Sequence, residues 1–171
     1  MVIARAMPKG RVVGLALLIA LALTYGIARA GWLPRGVTSR VAVGVVTLGT
    51  LLAHEVLHAW AAWCYGARPR FGLLWFGAYT TFDERLPRNR YLWTVLAPLV
   101  ILDAVALVLL AVWPAARGVA YLALLVNTTG AAGDLWSAAA LARVPADALI
   151  RDTRAGFEAH VPAESSTESQ A

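Results

Sequence analysis

The sequence predicts an all-α integral membrane protein of about four transmembrane helices, with a short strand or re-entrant segment between the second and third. Three observations lead there. Sixty per cent of the residues are hydrophobic and only 15% are charged, well outside the composition of soluble domains. Four apolar stretches follow one another, each able to cross a bilayer, for which about 20 residues suffice. Their charges are few: Val12–Ala28 has none, Val41–Ala67 has Glu55, Tyr91–Ala116 has Asp103 and Gly118–Ala142 has Asp134. The spans are therefore placed at about 12–28, 41–67, 91–114 and 118–142, in one membrane domain over residues 1–142.

The chain opens with Arg5, Lys9 and Arg11 ahead of the first span. A basic start, an apolar run and Ala28-Arg29-Ala30 also fit a cleavable signal peptide. The run is long for that and further spans follow, which favours a retained signal anchor. Residues 29–40 form a short link with Pro34, Gly36 and three arginines, and the second span then runs to about Ala67. Residues 66–90 are the longest link between spans. Pro69 and Gly72 oppose a helix, and the aromatic, glycine-punctuated run Phe71–Phe82 suits a strand, hairpin or re-entrant loop, or else an interfacial aromatic belt. The third span carries Pro98, tolerated where neighbouring helices satisfy the freed backbone, and ends at the turn Trp113-Pro114. Beyond Ala142 the composition changes. Residues 143–155 suggest a short amphipathic helix on the membrane surface, and Val161–Ala171 a disordered polar tail, with His160 solvated and apart from any site.

Lys and Arg between spans set the orientation. Segments 1–11, 66–90 and 143–171 hold eleven, against four in the two opposite links, so both termini are expected in the cytoplasm of a cell-membrane protein. The net charge of +5 then reflects topology and contact with lipid headgroups, and no basic-and-aromatic repeat points to nucleic acid. The single cysteine, Cys64, excludes an intramolecular disulfide and a four-cysteine metal site, and reads as a small apolar packing residue.

Within the second span lies His54-Glu55-Val56-Leu57-His58. On a helix, histidines four apart share one face and can hold one metal ion, and the glutamate after the first can take a proton from the attacking water. This is the HExxH arrangement of zinc hydrolases. The competing reading is a pair of polar residues satisfied inside a bundle. Ionisable side chains in a bilayer are costly and mark function by default. Zinc needs a third protein donor, and the intramembrane candidates are Asp103 and Asp134. At 1.5 Å per residue, His54 and His58 lie about 20–26 Å, and Asp134 about 24 Å, from the outer ends of their spans. Those spans run in one direction, so the three share a level nearer the cytoplasmic side. Asp103 falls closer to the bilayer centre and suits a hydrogen bond or a partner to a histidine nitrogen. The small and polar run Asn127–Asp134 permits close helix approach, and Asn127, two turns before Asp134, is placed to bond a substrate carbonyl or a developing oxyanion. The competing reading here is ordinary small-residue packing.

An HExxH in one span with an aspartate in a later one resembles the site-2 protease group of intramembrane zinc metalloproteases. In detail the chain is more similar to a family described as putative zincin peptidases. The features that carry the likeness are His54–His58, the loop 66–90, Ala97-Pro98, Asn127 and Gly133-Asp134, across roughly residues 41–141. Site-2 proteases typically place a proline after the asparagine and a glycine after the aspartate. Here Gly130 stands in place of the proline and Gly133 precedes Asp134, and there is no room for a regulatory peptide-binding domain.

The reading is a zinc-dependent intramembrane or membrane-surface endopeptidase. His54, His58 and Asp134 bind Zn2+, Glu55 is the general base, Asn127 contacts substrate and Asp103 lies behind the ligands. Its partners are the lipid bilayer and a peptide or membrane-protein substrate, and the oligomeric state is open. Two alternatives keep the same residues: a non-proteolytic zinc-binding scaffold or sensor, and a small ion or proton channel or transporter subunit.

Overall fold

A computed structural model describes residues 1–31, 39–74, 77–153 and 156–162. The chain is mainly helical. The long helices are α1 (Lys9–Arg29), α2 (Arg40–Cys64) and α3 (Arg88–Val112), and these three are long and apolar enough to cross a membrane. A 3-10 turn at Pro114–Ala116 leads into α4 (Arg117–Gly130) and α5 (Ala132–Leu141).

The expected fourth span, 118–142, is thus two shorter helices interrupted at Ala131. The reason is local. Thr129 Oγ1 donates back to the Leu125 carbonyl at 2.6 Å, and Thr128 Oγ1 shares its one proton between the Leu124 carbonyl at 2.8 Å and Asp103 Oδ2 at 2.7 Å. Such back-bonds bend helices, and Gly130 and Gly133 add little helical preference on either side.

The link between α2 and α3 contains the expected strands. β2 (Arg70–Leu74) and β3 (Gly77–Thr81) pair antiparallel, with Gly72 opposite Tyr79. The Tyr79 ring fills the space where a side chain on Gly72 would stand, so a larger residue there would displace that ring. Residues 75–76, within the aromatic run, lie outside the described residues, as do 32–38 of the first link and 163–171 of the tail.

The C-terminal segment departs from expectation. In place of an amphipathic helix over 143–155 there is a hairpin, β5 (Leu149–Thr153) and β6 (Gly156–His160). It forms the middle of a four-stranded antiparallel sheet of order β1-β6-β5-β4, completed by β1 (Val2–Ala6) and β4 (Arg85–Pro87). Ile150, Phe157 and Ala159 alternate inward and are buried, the period-2 pattern of a strand. His160 is also corrected: it lies in β6 with its side chain only 22% exposed, its Nε2 3.9 Å from Glu158.

Two cores result. One joins the sheet to the helix ends through Phe157, Ile150, Leu86, Tyr91, Ala62 and Leu141. The other joins α1, α3 and α4 through Ile27, Ala106, Leu110 and Leu124. The N-terminal segment is bound into both, since β1 pairs with β6 along its length and Ile27 belongs to α1. A cut at Ala28–Ala30 would remove a strand and a core residue.

Candidate metal centre

α2 ends in a closed turn that fixes its last residues. Gly66 adopts a φ of 86°, the Ala67 N–H returns to Ala62 at 3.0 Å and the Gly66 N–H to Trp63 at 2.9 Å, the paired bonds of a Schellman cap. Upstream, His54 and His58 project from one face of α2, with ring centroids 4.7 Å apart. Asp134, in the first turn of α5, reaches the same point. Its Oδ2 lies 3.1 Å from His54 Nε2 and 3.4 Å from His58 Nε2, and the two Nε2 atoms are 3.1 Å apart.

Second contacts fix which nitrogens face inward. His58 Nδ1 donates to the backbone carbonyl of Thr94 at 2.9 Å, and a carbonyl can only accept. The carbonyl is free because the residue four later is Pro98, which has no N–H to occupy it. His54 Nδ1 donates to Asn127 Oδ1 at 2.9 Å, and the Asn127 amide nitrogen is committed to the Pro98 carbonyl at 3.2 Å and Asp103 Oδ1 at 2.8 Å. With a proton on each Nδ1, both Nε2 atoms present lone pairs. In the neutral imidazoles three electron-pair donors therefore converge, a repulsive arrangement that a cation relieves. A tetrahedral zinc with bonds near 2.0–2.1 Å separates its donors by about 3.3 Å. The observed spacings fit, and among the described residues Asp134 Oδ2 is buried without a hydrogen-bond donor.

The structure brings His54, His58 and Asp134 together and sets the other named residues around them. Asp103 stands behind Asn127 and also accepts from Thr128 at 2.7 Å. Asn127 is 1% exposed, with its amide spent on His54, Pro98 and Asp103. It backs a histidine instead of facing substrate space. Glu55 is half-buried and lines a cleft of about 570 Å³ with His58 and Asp134.

Sequence reasoning placed a strand segment at 71–82 but missed Met7 and Asp152 in that cleft. β3 forms one wall, docked on α2 by Thr80 Oγ1 to the Glu55 carbonyl at 3.0 Å. Met7 comes from the N-terminus and its side-chain tip packs closely beside Gly133, just before Asp134. Asp152, from β5, accepts from Tyr91 at 2.7 Å. Burial pushes its carboxyl above the ordinary value, opposed by hydrogen bonds from Tyr91 and Thr81. Pro98 was the one readable signal here, since a proline inside a helix announces an unpaired carbonyl four residues earlier.

Fold and site together define a helical protein with a candidate three-donor metal centre on its apolar helices. Residues 47–149 match the family described as "Putative zincin peptidase", and the chain belongs to that family. No curated protein and no solved structure matches it.

Proposed function

We propose that the protein is a zinc-dependent endopeptidase whose centre sits within the membrane or at its surface. The observation that carries this reading is the meeting of two imidazole lone pairs and a carboxylate oxygen at 3.1–3.4 Å, beside a glutamate in an accessible cleft. His54, His58 and Asp134 would hold the ion. Bound there, zinc would supply polarisation of a peptide carbonyl and lower the pKa of water toward about 7.

The chain's own residues supply the remainder. Glu55 takes a proton from the attacking water and passes it to the leaving amine. Asn127 and the Thr94 carbonyl orient the two imidazoles, and Asp103 orients Asn127. β3, paired with β2 on one side, offers its other edge to an extended peptide, and a helical substrate must unwind to use it. The excess of Lys and Arg in segments 1–11, 66–90 and 143–171 supports cytoplasmic termini, with the centre nearer that face.

The test is zinc per chain on detergent-purified protein together with hydrolysis of an unstructured peptide. About one zinc is expected in the parent and in Glu55→Gln, and a large loss in Asp134→Ala. Glu55→Gln should lower hydrolysis by about 10²–10⁴-fold. Full hydrolysis by a zinc-loaded Glu55→Gln would remove the assigned base. Loss of zinc in no variant would remove the ligand set.

A further inference from the structure

We propose a binding site for one anionic phospholipid in the groove between α2 and α3, on the outer face of the bundle and separate from the metal centre. The groove encloses about 280 Å³ and has almost wholly apolar walls. Its shape follows from side-chain size. Ala61 and Ala97 form a low floor, and Trp60 and Trp93 stand on either side, 51% and 58% exposed. On α3 the residues Trp93, Ala97 and Val100 recur at helical spacing, so the groove runs along the helix toward the middle of the span.

A positive charge lies beside one end, against the Tyr65 ring. Arg90, one turn before Trp93, is exposed, and its guanidinium lies 5.7 Å from the ring centroid of Tyr65, which lines the groove. Among the described residues this ring is the guanidinium's one recorded contact, whereas Arg70 is paired with Asp83 at 2.8 Å and Arg88 is bonded to the Leu141 carbonyl at 3.1 Å. Arg90 also lies in the first turn of α3, where the helix dipole favours an anion. An apolar channel that starts at an uncompensated arginine fits an acyl chain below and a phosphate above. A zwitterionic lipid fills the same channel but brings its own cation to Arg90, so the arginine selects for net negative charge.

Cys64, exposed and lining the groove, is a built-in reporter and the chain's one cysteine. The full chain in detergent is treated with a maleimide while phosphatidylglycerol or phosphatidylcholine is titrated in. Phosphatidylglycerol should slow Cys64 labelling at a concentration about fivefold lower than phosphatidylcholine, the selectivity of one arginine near a lipid surface. Arg90→Gln should bring the two lipids together, and Arg85→Gln, a charge change on β4 outside the groove, should not. Ala97→Phe, which fills the floor, should abolish protection by both while the unfolding midpoint stays near that of the parent. Equal protection by the two lipids in the parent, undiminished selectivity in Arg90→Gln, or no protection by either lipid would each overturn the proposal. None of these results bears on the zinc site.

Discussion

His54 Nδ1 donates to Asn127 Oδ1 at 2.9 Å across 73 residues of sequence. That bond turns the Nε2 lone pair of His54 toward Asp134, and it joins the ligand face of α2 to α4. Asn127 is held in turn by Asp103 at 2.8 Å. Partners of this kind change metal affinity by about 10–100-fold when removed. Asn127→Ala is expected to weaken zinc binding within that range, and Asp103→Ala by less, because it acts through Asn127. Competition with a chelator measures both. Equal losses would show that Asn127 cannot orient His54 without Asp103, and a larger loss in Asp103→Ala would mean that it acts on the centre by another route.

Pro98 has a comparable role for His58, since it leaves the Thr94 carbonyl open to Nδ1. Pro98→Ala supplies an N–H that closes the helix bond and competes for that carbonyl. Zinc affinity should fall while thermal stability holds or rises, because alanine suits a helix interior better than proline. A variant with unchanged zinc affinity would show that the Thr94 contact does not position the ring.

Gly156 has a φ of 146°, and a side chain there would collide with the Arg5 carbonyl of β1. Gly156→Ala should cost about 1–3 kcal/mol and show as a lower unfolding midpoint. Gly130→Ala, where the added atom meets nothing within 4 Å, is the control and should leave the midpoint level or higher. Equal midpoints for both would mean that β1 contributes little to the fold.

Asp152 offers a pH-dependent test. Burial raises its carboxyl above 3.8, so the folded chain holds the proton more tightly than the unfolded one. The resulting stabilisation is complete below 3.8 and is lost as pH rises through the folded value. Unfolding midpoints from pH 3 upward should therefore fall less in Asp152→Asn than in the parent. Parallel curves would show that Asp152 ionises as freely in the fold as in the open chain.

Much of this protein was legible in its residues. Long apolar runs with almost no charge define α1, α2 and α3, because each helix satisfies its own backbone and needs no distant partner to be recognised. His54 and His58 were readable for the same reason, since their relation is one turn of a single helix. Glycines and aromatics in 71–82 exposed the β2–β3 hairpin, whose strands are neighbours in sequence. The residues around β5 and β6 gave no such signal. Each strand there is five residues long, and its hydrogen bonds go partly to β1, more than 140 residues away, and to β4.

The sequence by itself determined a membrane-type composition, the long helices and the paired histidines, all of which rest on interactions within a few residues. Only the tertiary structure decided that Val2–Ala6 closes a sheet with the C-terminal hairpin and that Asn127 faces His54. It also decided which carbonyl fixes His58. Each of these depends on where two distant backbones meet, and that is set by packing across the whole chain.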